Sequence, residues 1–340
     1  MMKIEDIKEY INSFEFKKSL NINSNDFIDL SILGQGEYNI NYLFTNPDSN
    51  QKLVIRLNTA SQMHLEDQIS YEFEALKLLE KCGRTPKPIY LDPRCRRLPY
   101  GILVMEFLPG SPLDYRTDLE IAAECLADIH SVEIPKENHL ISPEDPLKAV
   151  LNECKEMSYK YLNSELGNDE VKEIINRLIK KSEFIVNGKN NMKDKNLNLH
   201  IINTELNSGN FLINGKGNNN YIVDWEKPLL GEVEQDLGHF LAPTTTFWKT
   251  DIVLSRKEIE EFVNVYIEKV NNRFDTENIW LKLDKYITMT CLRGITWCSM
   301  AWIEYQDPNK LIKNEFTYKK IESYLDLQFL MDIEDEYFAD

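Results

Sequence analysis

Charged and apolar residues alternate with helical spacing over residues 1–20, which predicts an amphipathic helix at the start of the chain. The period then shortens. Residues 30–33 and 40–45 read as strands on either side of a glycine turn, and 52–57 as a third strand, short and apolar. The helical period returns over 66–82, with Ile69, Phe73, Leu76 and Leu79 on one stripe and Gly83 as its stop. Pro86, Pro88, Pro93 and Pro99 punctuate a loop and a strand, and 101–108 is an apolar run of the kind found in buried strands. Pro109, Gly110 and Pro112 then break the chain, which places a boundary near residue 110 between a β-rich part, 1–110, and a larger part, 111–340.

Helical patterns dominate the larger part. Thr117 stands where a cap is needed for a helix running to His130. Residues 145–163 and 168–187 form a helical pair, and further helices are predicted over 256–272, 277–305 and 314–332. Strand signals return at 199–202, 210–213 and 220–224, the last two joined by the polar turn 214–219 as a hairpin. No internal repeat is visible. The order is that of an α+β protein.

Composition narrows the classes. The chain of 340 residues carries 39 basic and 56 acidic residues, a net charge of −17. A nucleic-acid binder needs a basic footprint, and the short basic spots here (Arg94, Arg96, Arg97; Lys180, Lys181) are isolated. Such a balance keeps a chain soluble and also attracts a cationic substrate. The longest apolar run, 101–108, is far short of the ~20 residues that span a bilayer. The first residues lack a basic stretch followed by an apolar one, so no secretory signal is expected. Six scattered cysteines, without a Cys-x-x-Cys pair or histidines at zinc spacing, read as reduced packing thiols of a cytoplasmic protein.

The segment with the most chemistry is Asn203-Thr204-Glu205-Leu206-Asn207-Ser208-Gly209-Asn210, followed by a strand; Asp224 stands 14 residues after Asn210, at the end of the next strand. An acid, an amide five residues on and a second acid beyond a hairpin make a compact carboxylate–amide cluster. Such oxygens suit a hard ion like Mg²⁺. In phosphoryl transfer an Asn and an Asp hold the metal while a carboxylate orients the attacking hydroxyl. The alternative is a polar turn ahead of a hairpin.

With Asp224-Trp225-Glu226, Gly231 and Asp236-Leu237 following, this segment resembles the aminoglycoside phosphotransferase and choline kinase family, which shares the protein-kinase fold. The family signature is His-Gly-Asp, an Asn five residues after the Asp, a strand, Ile-Asp-Trp-Glu, then a Gly and an Asp-Leu pair. The chain departs from it in one place: Asn203-Thr204-Glu205 stands for His-Gly-Asp. The resemblance implies a bilobal α+β kinase-like fold with a nucleotide clamped between lobes. It implies that Glu205 is the catalytic carboxylate, that Asn210 and Asp224 bind Mg²⁺, and that Asp236 supports the catalytic loop from behind.

The likeness extends to the first part of the chain. Leu33-Gly34-Gln35-Gly36-Glu37-Tyr38 is similar to the family's nucleotide loop, where glycines let backbone N–H groups approach phosphate. Arg56 stands where many kinases carry a phosphate-pairing Lys, and it can engage phosphate bidentately. Glu72 aligns with the helix glutamate that pairs with that cation; Glu74 competes for the role. Leu103 to Gly110 resembles the hinge, where adenine would meet the backbone of Glu106, Phe107 and Leu108. His130 matches a helix end common in the family and reads as structural; His200 has no assigned role. Trp297 and Trp302, five residues apart, resemble a late helix of choline kinases. They suit either a quaternary-ammonium cage or plain core.

The implied reaction is transfer of the ATP γ-phosphoryl group to a small-molecule hydroxyl, with Mg²⁺ as cofactor. The acidic balance predicts a cationic or polyhydroxylated acceptor in a cleft lined by Asp224, Glu226 and Glu232. Two other readings remain open: a nucleotide-binding pseudokinase that has lost chemistry at Asn203-Thr204-Glu205, and a choline or ethanolamine kinase proper.

Overall fold

The apolar period of the chain is realised as two compact units. The computed structural model describes residues 4–36, 38–61, 63–93, 98–188, 198–308 and 314–338; Glu37 and the basic spot at Arg94, Arg96 and Arg97, with Cys95, lie outside these. In chain order the first elements are α1 (Ile4–Ile11), α2 (Phe14–Ser19), β1 (Leu30–Gln35), β2 (Asn39–Thr45), β3 (Lys52–Asn58), α3 (Gln68–Leu79), β4 (Pro88–Asp92), β5 (Gly101–Glu106) and α4 (Leu119–His130). Next come α5 (Pro146–Leu162), α6 (Asp169–Asn187), β6 (His200–Ile202), β7 (Phe211–Leu212), β8 (Tyr221–Ile222), β9 (Leu229–Gly231), α7 (Val233–Leu241) and α8 (Pro243–Thr250). The chain closes with α9 (Arg256–Val270), α10 (Ile279–Gln306), α11 (Glu315–Tyr324) and α12 (Leu327–Tyr337). Among the described residues no helix is long and apolar enough to cross a membrane.

The first unit comprises residues 1–113, 121–141 and 210–228. Its centre is an antiparallel sheet in the order β1-β2-β3-β5-β4. Alternation along β3 sends Leu53, Ile55 and Leu57 to one face, where Ile7 and Ile11 of α1, Phe16 of α2 and Ile102 and Val104 of β5 complete a buried cluster. Arg56 therefore points to the opposite face, with Val54. On β5 the missing Cβ of Gly101 leaves room for Ile69 of α3.

Two expected helices are each split by a cap. The amphipathic stretch 1–20 breaks because Ser13 accepts a hydrogen bond from the Phe16 amide and starts α2. Asp326 does the same for α12, accepting from the Gln328 and Phe329 amides, so 314–332 becomes α11 and α12. Thr117 does not cap α4: the helix starts at Leu119, and the Thr117 hydroxyl donates to the Asp118 carboxylate.

The chain first leaves the first unit after Leu113 and returns to it twice. The β7–β8 hairpin and most of α4 cluster with the N-terminal residues. Backbone bonds explain this. Ser111 and Ile213 exchange N–H···O bonds of 3.0 and 2.8 Å, and the Ile222 amide donates to the Arg84 carbonyl at 2.7 Å. Arg84 in turn grips Glu124 and Asp128 of α4 at 2.6 and 2.9 Å. Gly110, at φ +148°, lets the chain pass Leu212; a Cβ there would lie 2.7 Å from the Leu212 backbone.

The second unit comprises 114–120, 142–209 and 229–340. The 28-residue α10 is its axis, packed by α5, α6, α7, α8, α11 and α12. Gly238 lets α7 cross α10 closely, since a Cβ there would sit 2.6 Å from the Tyr286 Cβ. The short pair β6–β9 joins His200 to Gly231 in register. Residues 229–250 form β9, α7 and α8, elements absent from the sequence reading because each is short and α7 buries the charged Glu234 and Asp236.

Candidate active site

In the first unit the chemistry gathers around Arg56. Its side chain is 5% exposed and Glu72 is 2% exposed. Arg56 Nη1 donates to Glu72 Oε1 at 2.5 Å, Nε to Asn41 Oδ1 at 2.9 Å, and Nη2 to Asp224 Oδ1 at 3.3 Å. Position on β3 aims Arg56 at α3, and helical spacing puts Glu72 on the buried side of α3. Glu74 instead lies on the exposed side, 3.7 Å from Lys77. Burial opposes the Arg56 charge, but Glu72 foremost, then Asp224, outweigh it and hold the guanidinium above its ordinary pKa. Burial pushes the Glu72 carboxyl up against the pull of Arg56.

Asp224 reaches this cluster through the hairpin. The Val223 amide donates to the Asn210 carbonyl at 2.8 Å, which continues the β7–β8 ladder and sets Asn210 beside the approach to Asp224. Asp224 itself adopts φ +69°, a left-handed turn that ends the strand two residues early and swings the carboxylate out, about half exposed. Trp225 beneath it is buried, its indole N–H bonded to the Ile222 carbonyl. Glu226 is held by the Asn39 side chain, and its backbone carbonyl accepts from Gln68 at 2.5 Å.

One amide oxygen and one carboxylate fit Mg²⁺, which keeps several waters and takes one or two carboxylates together with substrate phosphates. No group of three or more acidic, His or Cys side chains able to hold a metal occurs among the described residues.

In the glycine segment, β1 carries a bulge at Leu33, and the Gly36 amide donates to the Asn39 carbonyl at 2.9 Å. Neither Gly34 nor Gly36 has a positive φ, and among the described residues beyond their chain neighbours a Cβ at either would meet no atom closer than 3.8 Å. The fold itself therefore tolerates side chains at both positions. At the hinge-like segment, the Glu106 amide is committed to the Lys87 carbonyl and the Phe107 amide to the Lys52 carbonyl. These two amides serve the sheet's own bonding.

In the second unit the loop 203–207 follows β6. Asp236 of α7, fully buried, accepts from two successive amides: Asn203 N at 2.7 Å and Thr204 N at 2.6 Å. The clamp holds Thr204 at φ +75°, a strained conformation for a β-branched residue. It occurs at the position where the family signature has Gly. The Glu205 amide then donates to Asn203 Oδ1 at 3.2 Å, closing an Asx turn. Asp236→Asn replaces one acceptor by a donor facing a buried N–H. It should cost about 1–3 kcal/mol, read as a lower midpoint in urea, with the Thr204 turn relaxing.

Glu205 is not alone. Arg293 of α10 donates through Nη2 to Glu205 Oε1 at 3.2 Å, and through Nε and Nη2 to Glu153 of α5 at 3.1 and 3.0 Å. Sequence reasoning assigned Arg293 and Glu153 no role. The available signal was a lone cation within an otherwise apolar helical stretch, a residue type seldom buried without a partner.

Other candidates resolve differently. Glu232, expected to line an acidic cleft, pairs with Lys282 and accepts from the Tyr286 hydroxyl. His130 is buried at the end of α4, and the His200 ring packs tilted against Phe274. Trp297 packs edge-on to Trp248 and Trp302 edge-on to Tyr161, in a cluster with Phe247, Tyr324 and Phe329. An ammonium does stand over this cluster, but it is the protein's own: Lys320 Nζ lies 3.8 Å from the Phe247 ring centre and pairs with Asp251.

Three comparisons bear on this arrangement. A model of the APH phosphotransferase enzyme family matches residues 29–267. No curated protein matches the sequence. Solved structures of similar fold include a spectinomycin phosphotransferase in complex with ADP and spectinomycin, 15% identical over 98% of each chain with a TM-score of 0.65. They also include choline kinase from Cryptosporidium parvum, 13% identical over 99% of this chain and 98% of that one, TM-score 0.67. Plasmodium vivax ethanolamine kinase is 14% identical over 96% and 90%, TM-score 0.64. At such identities these neighbours establish a kinase-like fold. The family match runs from the strand that opens the sheet into α9, well over half of the sequence, and by that measure the chain belongs to the APH phosphotransferase enzyme family.

Proposed function

We propose that the protein is a kinase that moves the γ-phosphoryl group of ATP onto a hydroxyl of a small molecule. The observation that carries this reading is the buried Arg56–Glu72 pair with Asp224 at its open end. A buried pair is a poor stabilising device, because desolvation offsets its attraction. A guanidinium that keeps a partly exposed carboxylate beside it is suited to bind phosphate next to a metal ligand.

Within this reading Gly34, Gly36 and Arg56 meet the phosphates, Glu72 orients Arg56, and the backbone of Glu106, Phe107 and Leu108 meets adenine. Asn210 and Asp224 hold Mg²⁺, which when bound neutralises charge on the transferred group. Glu205 accepts the proton of the acceptor hydroxyl as its oxygen bonds to the γ-phosphorus; the bond to the β–γ bridging oxygen breaks and ADP leaves. Asp236 keeps the loop of Glu205 in shape. The 1–110 and 111–340 parts then supply nucleotide and acceptor functions, with the β7–β8 hairpin contributing to the first. A net charge of −17 favours a cationic or polyhydroxylated acceptor, such as an amino sugar or amino alcohol, over a sugar phosphate.

The experiment is nucleotide binding with and without Mg²⁺, followed by an ADP-release screen over aminoglycosides, choline, ethanolamine, sugars and nucleosides. Mg²⁺ should strengthen ATP binding in the parent and have no such effect in Asp224→Ala. Equal Mg·ATP affinity in Asp224→Ala would show the metal assignment to be wrong, and a preferred anionic acceptor would overturn the acceptor class.

A further inference from the structure

Glu205 reaches one C–C bond, about 1.5 Å, further from the backbone than the aspartate of the family signature. Misplacement on the order of 1 Å costs ~10²-fold when catalysis is mainly positioning. A working site with a glutamate therefore needs something to fix the longer side chain. The structure contains it. Glu153 takes both Nε and Nη2 of Arg293, a two-point contact that sets the guanidinium plane, and the same Nη2 reaches Glu205 Oε1.

We propose that Arg293 is the positioning residue for Glu205: anchored by Glu153, it holds the glutamate carboxylate at the place from which a hydroxyl proton is accepted. The inference rests on the kinase reading above. The frame around the three side chains is stiff. Arg293 lies in the middle of α10, beside Gly294, where a Cβ would lie 2.8 Å from Thr244 of α8. Glu153 lies on α5, which packs along α10. Glu205 begins at the Asx turn clamped through Asn203 by Asp236. Burial opposes the Arg293 charge, but Glu153 first and Glu205 after it outweigh burial and keep the guanidinium protonated. Lysine has no planar fork and cannot hold Glu153 at two points while touching Glu205.

The alternative is that Arg293 only staples α5 to α10, with Glu205 an incidental contact. Steady-state kinetics of the parent, Arg293→Lys, Arg293→Met, Glu205→Asp and the Glu205→Asp/Arg293→Met double variant separate the two, with thermal melting as a check on folding. With a positioning role, Arg293→Met loses ~10² in kcat while KM for ATP stays near the parent's. Arg293→Lys recovers part of the loss, and the double variant is no slower than Glu205→Asp alone, because the shorter side chain no longer meets Arg293. Parent-like kcat in Arg293→Met, or losses that multiply in the double variant, overturn the proposal. Should Arg293→Met fail to fold, Glu153→Gln replaces it, with the same split between kcat and KM expected. The pairing is also read without turnover, from the side-chain ¹³C carboxyl resonance of Glu205, assigned by its loss in Glu205→Gln. That resonance moves in Arg293→Lys if Arg293 holds Glu205, and an unmoved resonance overturns the proposal. A parent inactive on every acceptor, with the resonance still moving, overturns the kinase reading and leaves the contact supported.

Discussion

Glu205→Gln should lower kcat by ~10²–10⁴-fold, the range spanned by removal of a general base, while affinity for Mg·ATP stays near the parent's. Glutamine keeps the length and an oxygen for Arg293, so the contact at 3.2 Å survives in part and the loss isolates the proton acceptor. Glu205→Asp is the more discriminating variant. It restores the residue type of the family signature, yet draws the carboxylate back by about 1.5 Å from a guanidinium already fixed by Glu153. It should therefore be slower than the parent. Faster turnover by Glu205→Asp would mean that the natural glutamate cripples the site. Unchanged turnover by Glu205→Gln would remove Glu205 from the reaction altogether. Both are measured with the acceptor found by screening.

Glu72→Ala should destabilise the fold by about 3–5 kcal/mol, because it strands a buried guanidinium. Arg56 is 5% exposed and would keep only Asn41 and the partly exposed Asp224 as partners. Glu72→Gln should cost less, since its side-chain oxygen still accepts from Nη1, but it removes the charge that offsets the burial of the guanidinium. Denaturation in urea reads both. If Glu72→Ala unfolds at the parent's midpoint, the pair is not as closed to water as the structure shows. Nucleotide affinity should fall in both variants, as Arg56 loses the partner that aims it.

Much of the architecture was legible in the order of periods along the chain. The apolar runs of β3 and β5 and the helical stripe of α3 are strong local signals, because each is largely buried. The long helices α5, α6, α9 and α10 were legible for the same reason. What escaped were elements too short to show a period. β9 has three residues and α7 nine, and α7 turns two acids inward. The splits at Ser13 and Asp326 are caps whose side chains compete locally with a helix that the apolar pattern alone would continue.

For the site, spacing along the chain picked out Glu205, Asn210 and Asp224, and the resemblance to the family added Arg56, Glu72 and Asp236. Sequence could not choose between Glu72 and Glu74; burial on α3 did, by turning one toward Arg56 and leaving the other beside Lys77. Nor could it show that Glu226 and Glu232 are already engaged, or that an ammonium from Lys320 stands over the late aromatic cluster. Arg293, which meets Glu205, lies 88 residues after it on α10, and Glu153, which anchors Arg293, lies 52 residues before it on α5. No periodicity links positions so far apart. The sequence alone determined which chemical groups are present and on which local elements they ride. Only tertiary packing decided which charges neutralise one another, because a charge removed from water must find its partner in space rather than along the chain.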